Sequence, residues 1–202
     1  MCAARAICTA HTTCGYRGSQ PEAEKKRKDD EIVVLYDQTN GNPEILDFLS
    51  TQNVELYEDS FSNDFAEWKN KLNSYCTGDY IFQIDADEML YEIFIQNLPQ
   101  ILIDNPTIQL FCLPRINTVE GLTQEHIQKW GWNVNEKGWI NFPDVQTRII
   151  QNSQKIKWIG KVHEVIYGHT THAILPIEDE YCILHHKNIK RQEIQNTLYS
   201  VI

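Results

Sequence analysis

The stretch DYIFQIDADE, residues 79–88, determines how the rest of the sequence is interpreted. Its central part, Tyr80–Ile84, is a mostly apolar run with the length of a buried strand. Three acids, Asp85, Asp87 and Glu88, follow directly after it. In open α/β sheets, ligands bind beyond the carboxyl ends of the strands. The sequence therefore predicts a ligand site at the end of this strand.

Asp85 and Asp87 project to the same side of an extended segment. Two carboxylates held close together repel each other unless a cation lies between them. Mg²⁺ and Mn²⁺ prefer oxygen ligands, and Mg²⁺ is usually bound by one or two carboxylates together with substrate phosphates. We therefore expect a site for a divalent cation and a diphosphate. Two other interpretations stay open: a solvated turn, where Asp-x-Asp often occurs by chance, and a phosphatase of the haloacid-dehalogenase type, which also places Asp-x-Asp after a strand.

The composition is that of a globular protein with one or two domains. Of the 202 residues, 42% are hydrophobic and 23% are charged. The net charge of −10 argues against a general binder of nucleic acids or anionic membranes. We expect one domain over residues 1–202, with a nucleotide-binding half at about 1–88 and an acceptor and metal half at about 89–202.

The sequence predicts no transmembrane segment, because no apolar stretch approaches the roughly 20 residues that a membrane helix needs. The amino-terminal stretch contains Arg5 but lacks the apolar core of a secretory signal. The six cysteines include no Cys-x-x-Cys pair. This favours reduced thiols in a cytoplasmic protein, with zinc binding as a weaker alternative.

Strands and helices alternate along the first half of the chain. Buried strands are predicted at Ile32–Tyr36 and Val54–Tyr57, and a helix follows each of them. This order predicts an α/β fold in which a mostly parallel central sheet is flanked by helices. Beyond the acids, the predicted elements are a helix at Leu90–Leu102 interrupted near Pro99, strands at Ile108–Leu113, Val145–Gln151, Ile156–Ile166 and Tyr181–Leu184, and a terminal helix at Ile189–Ile202.

A loosely patterned segment at 117–141 contains Trp130, Trp132 and Trp139. Long irregular segments of compact domains are often functional. Exposed tryptophans can provide a platform for the face of a sugar, but they also anchor long loops. Both interpretations stay open for this segment.

Several stretches, taken together in their order, resemble family 2 glycosyltransferases with the GT-A fold. They are GDYIFQIDADE at 78–88, FPDVQTRI at 142–149, WIGKVHE at 158–164 and ILHH at 183–186. The resemblance covers roughly residues 31–199. The sequence departs from the family at 10–13, where Pro-x-Tyr-Asn often follows the first strand. The absence of Gln-x-x-Arg-Trp argues against a processive polysaccharide synthase.

The resemblance implies a Rossmann-like GT-A domain with a nucleotide-sugar donor, a divalent cation (Mn²⁺ or Mg²⁺) and inversion at the anomeric carbon. Uridine is the expected base, and the acceptor hydroxyl stays open between a glycan, a lipid and a protein.

The resemblance also implies the site residues. The implied metal ligands are Asp85 and Asp87, with His163 completing the shell through a neutral ring nitrogen. His185 is a weaker candidate. Asp85 is also expected to reach the ribose, and Asp37 the base. The other expected nucleotide-sugar contacts are Ala10, His11, Thr12, Lys69 and Ala86.

The acceptor hydroxyl must lose a proton as it attacks, and a carboxylate within hydrogen-bonding reach is the usual base. Asp144 is the first candidate, since the family often carries a Glu-Asp base at this point, although Pro143 precedes it here. Glu164 is the second candidate, and a structural role for either acid stays open. Two other functions compete with the transferase: a nucleotide-sugar or glycan-binding module without catalysis, and a metal-dependent phosphatase or nucleotidyltransferase that uses the same acids.

Overall fold

The computed structural model describes residues 30–39 and 41–199, so the contacts predicted at Ala10, His11 and Thr12 lie outside the described residues. A single turn of 3₁₀ helix at Asp179–Tyr181 precedes the last strand. The strands and helices are β1 Val33–Asp37, α1 Pro43–Ser50, β2 Glu55–Asp59, α2 Phe65–Tyr75, β3 Tyr80–Phe82, β4 Glu88–Met89, α3 Glu92–Asp104, β5 Leu110–Glu120, α4 Gln124–Trp130, β6 Ile140–Gln151, β7 Lys157–Ile159, β8 Val165–Tyr167, β9 His172–Ile174, β10 Ile183–Asn188 and α5 Ile189–Tyr199.

The main sheet of the described residues has the strand order β3-β6-β5-β10-β4, with β9 beside the start of β5. β9 and β10 run parallel to β5, whereas β6 is antiparallel to β3 and β5, and β4 is antiparallel to β10. β1 and β2 form a parallel pair, and β7 and β8 form an antiparallel hairpin. The predicted α/β class is confirmed. The sheet is mixed rather than mostly parallel, because the chain returns after β5 and places β6 antiparallel between β3 and β5.

Side chains of the sheet alternate between two hydrophobic clusters, as the period of a strand requires. Phe82 and Phe111 belong to the cluster that α3 covers, whereas Ile81 and Leu110 belong to the cluster that α2 and β1 cover. The helices therefore lie on opposite faces of the sheet. The three acids follow β3, the strand at one end of the main sheet.

The helix α2 packs on the sheet through an apolar stripe at helical spacing. Trp68 and Leu72 are buried in the cluster shared with β1. The Asp64 carboxylate caps the start of the helix by accepting a hydrogen bond from the Glu67 amide at 2.9 Å. Caps of this kind satisfy an amide that has no partner inside the helix.

Two predicted elements differ from the structure. The helix α3 continues through Pro99 without the predicted interruption, because Leu98 and the neighbouring apolar side chains pack in the core and outweigh one missing hydrogen bond. The predicted strand Ile156–Ile166 is the hairpin of β7 and β8. Gly160 and His163 have φ angles of +95° and +56° in its turn, which no strand allows.

No helix in the described part of the chain is both long enough and apolar enough to span a membrane.

Candidate active site at the edge of the sheet

Acids and arginines alternate in a continuous row beyond the end of β3. Arg148 Nη2 donates to Asp85 at 3.0 Å and to Glu88 at 2.5 Å. Arg115 Nη1 donates to the same Glu88 oxygen at 2.9 Å. Its Nε and Nη2 both donate to Asp144, at 2.9 and 2.7 Å. We call this group, from Asp85 to Asp144, the ionic row.

The strand registers place the ionic row. Arg115 on β5 lies opposite Asp144 on β6, and a shift in the pairing leaves Arg148 as the extra residue of β6 between Thr147 and Ile149. The Gln83 amide donates to the Arg148 carbonyl at 2.8 Å, which holds the end of β3 against β6. The Asp85 amide in turn donates to Glu88 at 3.1 Å. The acids and the arginines therefore meet through pairing between strands that are far apart in sequence.

The interior of the ionic row is shielded from water. The side chains of Glu88 and Arg148 are 0% and 4% exposed. Buried charges without partners would be costly, and here each charge has an opposite neighbour. Burial favours the neutral form of Asp85, but Arg148 and Lys69 outweigh it and hold the pKa of Asp85 below its usual value. Burial is likewise outweighed at Arg148, where Asp85 and Glu88 hold the guanidinium pKa above its usual value.

Asp87 belongs to a second polar group beside the ionic row. His185 Nε2 lies 3.3 Å from Asp87 Oδ2, and Arg191 Nη2 lies 3.2 Å from the same oxygen. His185 Nδ1 lies 2.7 Å from Asn117 Oδ1, and Asn117 Nδ2 donates to Asp144 at 2.8 Å. Burial favours a neutral Asp87, but the hydrogen bond and charge of His185 lower its pKa. Asn117 thus connects the ionic row to Asp87 through His185.

These contacts fix the proton on the His185 ring. The Asp144 carboxylate only accepts hydrogen bonds, so Asn117 must turn Nδ2 toward it and Oδ1 toward His185. Oδ1 also only accepts, so the His185 proton lies on Nδ1. In the neutral ring, Nε2 then directs a lone pair at the Asp87 carboxylate, 3.3 Å away. Two such acceptor atoms are stable together only with a cation between them, either a second ring proton or a metal ion.

Two clefts lie on either side of the ionic row. The first has a volume of about 520 Å³ and includes Arg148 in its wall. The second has a volume of about 180 Å³ and includes Arg115 and Asn117. Further polar and aromatic side chains of the first cleft are Lys69, Gln146, Trp158, His163, Glu164 and His169. Those of the second cleft are Trp132, Asn141, His185, Lys187 and Gln192.

The comparisons with known proteins agree with this architecture. The sequence model of Glycosyl transferase family 2 matches residues 20–166. The chain belongs to glycosyl transferase family 2. This confirms the family inferred from the sequence motifs. A comparison with curated proteins finds no match.

Among solved structures, the 1–349 fragment of S. aureus TarS is similar to this chain, with a TM-score of 0.52 and 9% sequence identity. The match covers 91% of this chain and 60% of that structure, so this chain spans about 60% of its length. The complex of the same fragment with UDP-GlcNAc gives a TM-score of 0.47 and 10% identity, with 89% of this chain and 60% of that chain covered. The first of these matches supports the GT-A fold.

The metal ligands expected for this family are only partly brought together. Asp87 lies beside His185, the weaker candidate, whereas His163 lies in the first cleft on the turn after β7. Among residues 30–39 and 41–199, no group of three or more His, Cys, Asp and Glu side chains is arranged to hold a metal ion. The predicted set of Asp85, Asp87 and His163 therefore forms no single cluster in the described residues and stays a prediction. The physical reason is the register of β10, which places His185 opposite Glu88.

The donors that are present fit a divalent cation bound together with a substrate. Asp87 Oδ2 and His185 Nε2 lie 3.3 Å apart, and carboxylate oxygens and imidazole nitrogens both serve as metal ligands. Asn117 orients the ring from its other nitrogen, as groups behind metal ligands commonly do. Mg²⁺ and Mn²⁺ usually take their remaining ligands from phosphates and water. Arg191 contacts the same Asp87 oxygen, so a cation bound there would displace or move its guanidinium.

Lys69, one of the predicted contacts with the nucleotide sugar, lines the first cleft. Its ammonium lies 2.5 Å from Glu164 Oε1 and 4.2 Å from the centre of the Trp158 ring. Asn70, the next residue of α2, donates to the Trp158 carbonyl at 2.8 Å and accepts from its amide at 2.9 Å. The Phe65 amide also donates to the Lys161 carbonyl at 3.0 Å. The start of α2 therefore holds the β7–β8 hairpin and brings Glu164 to Lys69.

The two candidate bases differ in their surroundings. Asp144 accepts hydrogen bonds from Arg115, from Asn117 and from Gln146 Nε2, the last at 2.6 Å. Burial favours its neutral form, but Arg115 and these hydrogen bonds lower its pKa. Asp144 is therefore ionised at neutral pH but only weakly basic. Glu164 faces the first cleft and is engaged by Lys69.

Other predicted contacts with the donor are not gathered in these clefts. Asp37 is 1% exposed, and its Oδ1 accepts hydrogen bonds from the Thr39 and Phe61 amides at 2.9 and 3.1 Å. It therefore shapes the loop after β1. Ala86 is exposed between the two aspartates. Its backbone is the part of that residue available to a ligand.

Sequence reasoning missed Arg115, Arg148 and Asn117, which organise the acids. Arg148 lies in a stretch that drew attention for its family pattern, but an arginine inside a strand gives no signal of the acid that it meets. One signal was available, because three acids in four positions require positive charge nearby. That charge was assigned to a metal ion, whereas the structure supplies much of it from arginines.

Proposed function

We propose that this domain transfers a sugar from a nucleotide-sugar donor, a UDP-sugar, to an acceptor hydroxyl with inversion at the anomeric carbon. The observation that carries the proposal is the ionic row with a cleft on each side. Such an arrangement suits a reaction in which a donor and an acceptor approach one reacting carbon from two directions. The choice of uridine follows from the family resemblance.

In this proposal the nucleotide diphosphate enters the first cleft. This cleft is the larger of the two, and Lys69 supplies a positive charge that Glu164 now balances. Phosphate oxygens are acceptors of the same kind as that carboxylate, so they can take its place on the ammonium. Arg148 lines the same cleft, pairs with Asp85 and holds that carboxylate ionised. Asp85 is thus kept as an acceptor, the form needed to bind a ribose hydroxyl.

The divalent cation is a separate part of the proposal. Asp87 and His185 would hold it, and Asn117 would keep the Nε2 lone pair of His185 directed toward it. A bound cation would neutralise the charge that develops on the leaving diphosphate. Titrating Mn²⁺ into the protein and recording its electron paramagnetic resonance signal tests this without measuring activity. Asp87→Asn should weaken binding strongly, and equal affinity of the variant would exclude this site.

Asp144 is the proposed acceptor of the proton from the attacking hydroxyl. Its hydrogen-bond partners Arg115 and Asn117 line the second cleft, where an acceptor would enter in this proposal. The lowered pKa keeps it ionised and makes it a weak base.

A second candidate function is a nucleotide-sugar or glycan-binding module without catalysis. The four hydrogen bonds that Asp144 accepts from Arg115, Asn117 and Gln146 favour it, because they make the carboxylate a weak base.

Thermal unfolding with nucleotides tests the first step of the proposal. A ligand at 100 times its Kd stabilises the folded state by about 2.7 kcal/mol. For a chain of this size, each kcal/mol raises Tm by about 2–4 °C. UDP with Mn²⁺ should produce such a shift in the wild type. Lys69→Met should reduce it, and Lys71→Met, a control on the same helix whose ammonium pairs with Asp59, should not. No shift with any nucleotide would contradict the proposal.

Measuring UDP release from UDP-sugars then separates the two candidate functions. A transferase hydrolyses or transfers the donor, and Asp144→Asn reduces the rate of transfer. A binding module gives the thermal shift without release of UDP, and Asp144→Asn then changes stability alone. Release of phosphate from simple esters would instead indicate a phosphatase.

A further inference from the structure

The second cleft is built on the residues that contact Asp87 and Asp144. Arg115 and Asn117 both bond to Asp144, and His185 lies against Asp87. All three also line the cleft. A ligand bound in its volume of about 180 Å³ therefore meets the hydrogen-bond partners of the carboxylate proposed to accept the proton.

An aromatic row supports one wall of this cleft. The rings of Trp130 and Trp132 lie 4.6 Å apart, and the His126 ring stacks on Trp130 at 5.1 Å and 19°. His126 also caps α4 by accepting from the Thr123 amide, and its Nε2 lies 3.6 Å from Glu193 on α5. Trp132 is the member of the row that lines the cleft. Its ring is thus held from behind by two helices.

The loop that continues from Trp132 is also fixed before any ligand binds. The Asn133 amide donates to Asn141 Oδ1 at 2.9 Å, and the Asn141 amide donates back to the Asn133 carbonyl at 2.7 Å. Val134 pairs with Ile140 across the same loop. Asn141 lines the cleft with Oδ1 already in use, which leaves Nδ2 as its side-chain donor. Walls ordered in advance reduce the entropy lost on binding.

Charges around the cleft are largely compensated. Arg115 is paired with Glu88 and Asp144, and His185 with Asp87. Lys187 also lines the cleft and interacts electrostatically with Asp87. The groups offered to a ligand are therefore an aromatic face, amides and a partly balanced ammonium. This chemistry suits a neutral ligand with an apolar face and several hydroxyls, and it suits a free phosphate poorly.

We propose that the second cleft binds a pyranose ring of a saccharide acceptor, with the C–H face of the ring on Trp132 and its hydroxyls on Asn141 and Gln192. This inference rests on the proposed transferase function and specifies its acceptor as a glycan rather than a peptide or a lipid. In the reaction, the acceptor oxygen bonds to the anomeric carbon of the donor as the bond from that carbon to the diphosphate breaks. The electron pair leaves with the diphosphate, and the hydroxyl proton goes to Asp144.

Steady-state kinetics with a panel of acceptors test this inference. The panel consists of neutral mono- and disaccharides, a serine- and threonine-containing peptide and a short-chain alcohol, each measured by UDP release and product mass. Trp132→Ala should raise the KM of the active saccharide about tenfold or more, as loss of a central aromatic contact commonly does. Trp132→Phe should restore part of the affinity, because it keeps a ring at this wall.

Trp139→Ala is the matched control. Trp139 lies in the same loop but packs on Phe142 at 4.7 Å with Lys137 above it, outside the second cleft. This variant should keep the saccharide KM of the wild type. A tenfold rise in both variants would indicate general damage to the loop and would overturn the assignment to Trp132.

The outcomes also separate this inference from the proposed function. If UDP with Mn²⁺ gives no thermal shift, the transferase proposal itself fails. If UDP binds and the donor is hydrolysed, but only the peptide or the alcohol becomes glycosylated, the transferase stands and the saccharide acceptor is excluded. If Trp132→Ala unfolds, saccharide titrations of the wild type and of Trp132→Phe, followed by tryptophan fluorescence, decide the question. A spectral change in the wild type that is absent from the Phe variant supports the site, and no change in either overturns it.

Discussion

The side chain of Glu88 is fully shielded from water and has two arginines on one oxygen, Arg148 at 2.5 Å and Arg115 at 2.9 Å. Its buried negative charge is stable there only because both arginines compensate it. Arg148→Met should lower the free energy of unfolding by roughly 3–5 kcal/mol, since it leaves a buried carboxylate with half of its compensation. Urea unfolding measures this.

The double variant Arg148→Met with Glu88→Gln provides the control for that prediction. Removing both charges takes away the uncompensated carboxylate, so the double variant should be more stable than Arg148→Met alone. Strictly additive losses would show that the pair does not interact and would contradict the ionic row.

Asn117 is a positioning residue, because it acts on His185 rather than on a ligand. Asn117→Leu removes the oxygen that holds the proton on Nδ1 of His185. Mn²⁺ affinity should fall roughly 10–100-fold, as is typical when groups behind metal ligands are lost. With Mg²⁺ bound, nitrogen NMR should show the ring changing from the Nδ1-protonated tautomer to a mixture. Thr118→Val, which alters a hydroxyl bonded to His186, is the control and should leave the His185 signals in place. An unchanged tautomer in Asn117→Leu would refute the proposed role of Asn117 in holding the proton on His185 Nδ1.

At the level of elements, the pairing of α2 with the β7–β8 hairpin determines the first cleft. Asn70→Ala removes two hydrogen bonds to the Trp158 backbone and should cost about 1–3 kcal/mol of stability. Hydrogen exchange of residues 157–167 should accelerate, and the UDP affinity should fall because Glu164 and Lys69 lose their fixed spacing. Ser74→Ala, which changes an exposed hydroxyl on the same helix, should alter none of these. Unchanged exchange in the hairpin of Asn70→Ala would contradict this role of α2.

Local periodicity predicted most elements, because the burial of a helix face or a strand is encoded by neighbouring residues. Which charged side chains meet depends on register between distant strands, and a shift of one residue reverses every side chain. Arg115 meets Asp144 through the pairing of β5 with β6, and His185 lies opposite Glu88 through that of β10 with β4. Neither contact can be predicted from the spacing of these residues along the sequence. His163, by contrast, was chosen for its motif and lies on the turn after β7.

At the scale of the whole molecule, the ionic row couples the two clefts through the charge of Glu88. Arg148 contributes to the wall of the first cleft and Arg115 to that of the second, and both hold the same Glu88 oxygen. A ligand that draws one guanidinium toward it therefore changes the compensation of Glu88 and, through it, the other guanidinium. Two clefts built in this way share their electrostatics through Glu88.

The free energy of unfolding falls at low pH, and this acid limb of the stability curve is a property of the whole domain. Asp85, Asp87 and Asp144 each have a pKa lowered in the folded state, against about 3.9 for an unfolded Asp. Their stabilisation is therefore fully present above about pH 4 and is lost as the pH falls through the folded values. Urea unfolding should show no effect of these groups between pH 6 and 8 and a steep loss below about pH 4. Asp144→Asn should make that loss shallower, whereas Asp104→Asn, a control in α3 whose side chain bonds only to Gln100 in the described residues, should leave the limb unchanged. An acid limb of the same slope in Asp144→Asn would mean that the row does not hold this carboxylate ionised.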